Sequence, residues 1–185
     1  VFALWLFSYV PVGREPNPDL MPSPEQRDQL RRATVQFRAT KPMLFVDFWN
    51  DGPIISGCIA GGRKYIHINA NGDIEPCVFC HFAADNIRRT SLKEALGSRL
   101  FRTIREKQGE HDNLLRPCML IDHPDYGRDF FQMEGVYPTH EGAEAIFTGL
   151  ADDMDRYATQ YGTIADQAWE EEFKEHPRQV RGGGS

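Results

Sequence analysis

A chain of 185 residues has the length of about one domain. Its 41% hydrophobic and 26% charged fractions, with 12 Phe, 6 Tyr and 3 Trp, exclude a disordered chain. The 21 Lys+Arg against 27 Asp+Glu, a net charge of -6, leave no basic field to hold nucleic acid. Four cysteines are too few for a disulfide-dense secreted scaffold, and they suffice for one metal or cluster site.

Residues 1–10 form an apolar run closed by Pro11. The run is too short to cross a bilayer and lacks a basic flank and a small-residue cleavage site, so neither a membrane span nor a signal peptide is expected. Its aromatic and β-branched content predicts a strand buried on both faces. Beginning on such a strand at Val1, without Met, it reads as the end of a larger domain. Pro16, Pro18, Pro22 and Pro24 mark a loop. Ser23-Pro24-Glu25-Gln26 then opens a helix, with Ser as N-cap, Pro in the first turn and Gln three residues after the cap. Leu30, Ala33 and Phe37 predict its apolar face to about Thr40, with Arg27, Arg31, Arg32 and Arg38 mostly elsewhere. Met43-Leu44-Phe45-Val46-Asp47-Phe48-Trp49 predicts a second buried strand, completing one βαβ unit of a parallel sheet or barrel.

Beyond Asn50-Asp51-Gly52-Pro53 the pattern changes. Tyr65-Ile66-His67-Ile68-Asn69 alternates, Asn71-Gly72 predicts a hairpin turn, and Asp73-Ile74-Glu75-Pro76-Cys77 returns. Ser91-Leu92-Lys93-Glu94 opens a helix to about Leu96, and Leu100, Phe101 and Ile104 mark another. Residues 141–161 and 164–174 read as two helices, and 179–185 as a flexible tail. No internal repeat is present.

The cysteines are Cys58, Cys77, Cys80 and Cys118, separated by 18, 2 and 37 residues. A Cys-x-x-Cys pair beside a tight turn lets two thiolates converge on one centre. Gly57, Gly61 and Gly62 flank Cys58 and are expected to let the backbone approach a bulky ligand. By spacing alone a structural four-cysteine zinc site, a redox pair or buried free thiols remain open readings.

The pattern Cys58-x13-Gly72-x4-Cys77 resembles the opening signature of the SPASM and twitch domains that close radical S-adenosylmethionine enzymes. In both, a cysteine precedes a two-stranded hairpin that turns at glycine and ends in Pro-Cys. The upstream Tyr9-Val10-Pro11-Val12-Gly13-Arg14 and its helix are similar to the last barrel strands of such enzymes. The resemblance implies that Cys58, Cys77, Cys80 and Cys118 ligate one auxiliary 4Fe–4S cluster, as in a twitch-like arrangement. It also implies S-adenosylmethionine and a second 4Fe–4S cluster in the full-length enzyme, where reductive cleavage yields a 5′-deoxyadenosyl radical. The partners implied are a peptide or small-molecule substrate and an electron donor such as flavodoxin or ferredoxin, in the cytoplasm. The Cys-x3-Cys-x2-Cys motif of the radical step is absent from this sequence, so the chain alone is expected to be inactive.

The fold expected is therefore α/β. The last βαβ unit of a partial (β/α) barrel (1–52) is followed by a hairpin cluster-binding domain (53–135), a helical segment (136–178) and the tail. Four further expectations concern single residues. His81 and His123 could tune or replace a cluster ligand, since imidazole substitutes for thiolate in some iron–sulfur sites, but are expected more often to donate hydrogen bonds from outside the ligand set or simply to be exposed. Asp47, Asn50 and Asp51 are expected to close a turn, although they end a strand where α/β sheets place ligand-binding groups. Arg14 reads either as facing a substrate anion or as a solvated loop residue, and Met119 and Met133 as packing residues. No Ser-His-Asp set, phosphate loop or paired-carboxylate site is present.

Overall fold

A computed structural model describes residues 1–173. The elements run β1 (Ala3–Leu6), α1 (Pro24–Thr40), β2 (Leu44–Asp47), α2 (Gly52–Ile55), β3 (His67–Ile68), β4 (Asp73–Glu75), β5 (Phe82–Ala83) and β6 (Asp85–Asn86). They continue with α3 (Leu92–Leu96), α4 (Arg99–Gln108), α5 (Pro124–Phe131), β7 (Tyr137–Pro138) and α6 (Ala151–Glu172). The mixture of helices and small sheets is α/β in composition. None of the helices among the described residues is long and apolar enough to cross a membrane.

β1 and β2 pair in parallel, Ala3 opposite Leu44 and Leu6 opposite Asp47, with α1 between them in sequence. This is the expected βαβ unit. α1 starts as its sequence dictates: the Ser23 side chain accepts from the Gln26 N–H, and the Gln26 side chain accepts from the Ser23 N–H. Two expectations for this unit fail. The strands are not buried on both faces, since Trp5 is 60% and Phe7 51% exposed. With only two strands and one helix, one sheet face has nothing over it. Trp5, Phe7 and Phe48 shield one another there, Phe7 stacking on Phe48 at 4.6 Å between centroids.

The helix itself is turned inside out. Its buried residues are Pro24, Arg27, Asp28, Arg31 and Thr34, whereas Phe37 is exposed. These positions repeat at helical spacing, so the stripe is real but charged. It can be buried because α6 supplies partners. Arg31 donates through both terminal nitrogens to Glu172, at 2.6 and 2.9 Å, and through Nε to Asp28 at 2.8 Å. The Arg27 guanidinium lies 3.7 Å over the Tyr161 ring. Thr34 returns its hydroxyl to the Leu30 carbonyl.

The hairpin follows the sequence. His67 pairs with Glu75 and Ile68 with Ile74, and β4 also pairs with β6. β5 pairs with β7, which returns from beyond α5.

At the C-terminal end, residues 143–147 form a single short 3₁₀ turn. The two helices expected over 141–161 and 164–174 are replaced by one continuous α6 over 22 residues. Gly162 lies within this helix, and a Cβ there would meet the Arg116 guanidinium at 3.1 Å, so the glycine makes room for that side chain. The expected tail at 179–185 lies outside the described residues.

One core joins these parts. Leu115, Cys118, Met119, Leu120 and Ile121 are all buried and pack with Phe82, Phe130 and Phe147 and with Met154, Tyr161 and Ala165 of α6. Each fully buried large apolar side chain contributes about 1.5–3 kcal/mol. The loop that carries Cys118 is therefore one of the best-anchored irregular segments of the chain.

Candidate metal centre

The four cysteines come from three irregular segments. Cys58 follows α2, Cys77 and Cys80 follow β4, and Cys118 sits in the buried loop before α5. Cys77 and Cys80 bridge across a tight turn, the Cys80 N–H donating to the Cys77 carbonyl at 3.0 Å. Cys58, Cys77 and Cys118 line one cavity of about 190 Å³, with Val46, Phe48, Trp49, Phe79 and Leu120 among its other walls. Cys80 borders a separate void of about 10 Å³ beside Pro76, Leu100 and Met119. Among the described residues, no three His, Cys, Asp or Glu side chains form a group that could hold a metal ion.

Two of the sulfurs accept from the backbone N–H of the residue two positions further on. Cys58 accepts from Ala60 and Cys118 from Leu120, both at 3.4 Å. The backbone N–H groups of Phe79 and Phe82 act in the same sense on Cys77 and Cys80. Such N–H groups stabilise negative charge on sulfur.

Burial nevertheless pushes every one of these thiols up, Cys80 to about 12. The thiols also act on each other: charge on Cys80, Cys58 and Cys118 each raises Cys77 further. Thiols that feel one another in apolar surroundings deprotonate together only when a cation shares the space. No ready-made single-ion site is assembled among the described residues, but three thiols on one apolar-walled cavity, with Cys80 across the turn from Cys77, suit a larger thiolate-ligated cluster.

Charges of both signs surround the thiols. Arg63 donates to the carbonyls of Cys58 (2.7 Å), Gly57 (2.9 Å) and Ile55 (3.1 Å), folding the backbone around Cys58 and opposing the effect of burial on its thiol. Glu75 is 1% exposed, and its charge helps raise Cys80. Burial works to raise the Glu75 carboxyl, but the nearby His81 ring together with hydrogen bonds from Thr139 and His67 outweighs it and holds it below its ordinary value. Tyr65, another wall of the cavity, is raised by burial and then by Cys77. The sequence places Tyr65 and Glu75 only in the hairpin strands, and their approach to the thiols, like that of Arg63, depends on how the loops come together.

The other residues singled out from the sequence are engaged elsewhere. His81 Nδ1 faces Glu75 at 3.9 Å, and its ring meets His140 edge-on at 4.4 Å between centroids. His123 Nε2 is 2.9 Å from the Arg116 carbonyl, and its ring stacks on His111. Asp47, Asn50 and Asp51 close a turn: Asp47 accepts from the N–H groups of Trp49 and Asn50 and from the Asn50 side chain, while Asp51 accepts from the Asp47 N–H and pairs with Arg38. Arg14 is exposed. Met119 is buried in the core and Met133 packs against it.

The glycines need a correction. Gly57 lines the cavity, but Gly61 and Gly62 do not. Both have positive φ, and a Cβ would meet Ile104 Cγ2 at 2.4 Å from Gly61 and Leu96 Cδ2 at 2.5 Å from Gly62. They admit the side chains of α3 and α4, not a ligand.

No curated protein and no solved structure matches the chain. One family model does. Described as an iron-sulfur cluster-binding domain and called SPASM, it covers residues 58–120, beginning at Cys58 and ending two residues past Cys118. All four cysteines fall inside it, and residues 58–120 are similar to this iron–sulfur cluster-binding family.

Proposed function

We propose that this chain is the C-terminal portion of a radical S-adenosylmethionine enzyme, in which Cys58, Cys77, Cys80 and Cys118 ligate one auxiliary 4Fe–4S cluster. The observation that carries the ligand set is that Cys58, Cys77 and Cys118 line one apolar-walled cavity, with Cys80 held across the tight turn from Cys77. Two features support the larger enzyme. The cavity opens at the carboxyl end of β2, where parallel α/β units carry their functional groups. The aromatic face of β1 and β2 is uncovered, as expected of strands that belong to a wider partial barrel.

When bound, the cluster would supply one-electron transfer during substrate modification. The chain contributes the rest. The braced loops fix the sulfurs, and Phe48, Trp49, Phe79 and Leu120 keep water from them. Ligation by four cysteines leaves no iron free to hold substrate, which favours electron transfer over substrate anchoring. The substrate is a peptide or small molecule. Flavodoxin or ferredoxin would serve as electron donor in the complete enzyme, in the cytoplasm.

The test is anaerobic reconstitution of the chain followed by metal and sulfide analysis. About four iron and four sulfide per chain, with broad absorption near roughly 400 nm, are expected. One zinc per chain and no visible absorption would replace the proposal with a zinc-stapled interaction domain.

A further inference from the structure

Arg27 is a cation buried beside the cluster-binding loop, and its partner reaches one of the ligands. The side chains of Arg27 and Asp122 are 1% and 0% exposed. Arg27 Nη1 donates to Asp122 Oδ1 at 2.6 Å, and Nη2 donates to Oδ2 at 3.2 Å. Nη2 also reaches the carbonyls of Trp49 (3.3 Å) and Leu115 (3.4 Å). Asp122 Oδ2 accepts from the Cys118 N–H at 2.9 Å, and the Asp122 N–H donates back to the Cys118 carbonyl at 2.9 Å. The carboxylate therefore closes the loop that presents Cys118, and its charge acts on the sulfurs of Cys118 and Cys58.

Stability does not explain this pair. Buried ion pairs seldom outperform apolar packing of the same shape, and the surrounding core is apolar. A charge at this place does have a use beside a redox centre. The reduction potential of a cluster follows the net charge around it and the N–H groups directed at its sulfurs. A bare carboxylate here would oppose uptake of an electron, and a guanidinium held against it offsets that field.

We propose that Arg27 and Asp122 are positioning residues for the cluster: the carboxylate fixes the Cys118 loop, and the balanced pair sets the potential of the cluster. The inference rests on the cluster reading above. It also ties α1 to the cluster, since Arg27 holds the Trp49 carbonyl just beyond β2 and the Cys118 loop at once.

The experiment compares the full chain with Asp122→Asn, Arg27→Gln and Arg27→Lys, each reconstituted anaerobically. Iron per chain is measured, and the midpoint potential of one-electron reduction is followed by electron paramagnetic resonance during a mediated dithionite titration. Asp122→Asn removes the negative charge and leaves the Arg27 cation unopposed, so the potential rises. Arg27→Gln leaves the carboxylate unopposed, so the potential falls. Arg27→Lys keeps the charge and stays near the parent. A purely structural pair would not shift the potential in opposite directions.

Asp122→Asn at full iron content with an unchanged or lowered potential overturns the proposal. This variant is isosteric and decides the matter even where Arg27→Gln does not fold. If Asp122→Asn keeps its circular dichroism but loses iron, the fixing of the Cys118 loop is upheld. A parent chain that takes up no iron removes the cluster reading first, a failure distinct from an iron-replete parent whose variants do not shift.

Discussion

The βαβ unit and the cysteine-bearing segment that follows it bury charge in different places. In the first, α1 turns a stripe of Arg27, Asp28 and Arg31 inward and leaves Phe37 exposed, while Trp5 of β1 and Phe7 just beyond it face solvent. In the second, Ile74, Leu100, Phe101, Leu120 and Ile121 are buried as apolar residues should be, and the buried carboxylates Asp73, Glu75 and Asp122 stand singly among them. The difference teaches that a buried stripe is defined by what lies opposite it. α6 and the Cys118 loop offer α1 two carboxylates and a tyrosine ring, so arginines go in. Where the hairpin meets α4, Ile74 packs on Phe101, so apolar side chains go in.

The largest expected effect tests the cysteine side of this contrast. Cys77→Ser should abolish most iron binding after reconstitution, because oxygen replaces a thiolate in a site braced for sulfur. Iron analysis and visible absorption read the loss. Retention of the parent's iron content would exclude Cys77 from the ligand set.

Next comes the charged side. Arg27→Met leaves Asp122 buried without its cation, which costs about 3–5 kcal/mol. Urea denaturation of the parent and variant measures the difference. A cost below about 1 kcal/mol would mean that water reaches Asp122, and the claim of an interior built on charge would fall.

How legible was each side? The cysteine spacing, the Asn71-Gly72 turn and the Ser23 and Ser91 caps act within a few residues, and the structure repeats them almost unchanged. The polarity of α1 was not legible. Arg27 finds its partner 95 residues away and Arg31 finds Glu172 141 residues away, so a local hydrophobic pattern cannot register them. The same distance hid Gly162, whose neighbour Arg116 lies in another segment, and the reading split one helix in two. The second strand face was misjudged for a different reason. Apolar strand residues state what the chain prefers to cover, and Trp5 stays 60% exposed with only Phe7 and Phe48 against its ring.

Gly61→Ala probes the seam between Cys58 and α4. The residue sits at φ +67°, and the added methyl would meet Ile104 Cγ2, so backbone strain and overpacking add to about 1–3 kcal/mol. Thermal denaturation reads the cost. Because Gly61 is not a wall of the cavity, iron content per folded chain should stay that of the parent.

Trp5→Ser should cost this chain only about 1 kcal/mol or less, against about 3–5 kcal/mol for a tryptophan in a closed core. The same substitution in a longer protein whose barrel covers β1 should move to the larger value. A loss of about 3 kcal/mol or more in this chain would show that the aromatic face is already covered, and the contrast with the cysteine segment would narrow.

The smallest effect separates the two regions by pH. A hydrogen bond from Arg31 holds the Glu172 carboxyl below its ordinary value of 4.5 and outweighs the opposing effect of burial. A group lowered in this way stabilises the fold above its unfolded pKa, and that contribution is lost as pH falls through the lower, folded value. Glu172 is 39% exposed at its side chain, so solvent screening reduces the contribution to about a few tenths of a kcal/mol. Glu172→Gln should therefore lower the thermal midpoint slightly at pH 7, and the gap to the parent should close as the pH drops below 4.5. A gap that persists unchanged into acid would show that Glu172 acts at α1 through shape alone. The charged stripe of α1 would then rest on Asp28 and Asp122, and α6 would contribute to it only the ring of Tyr161.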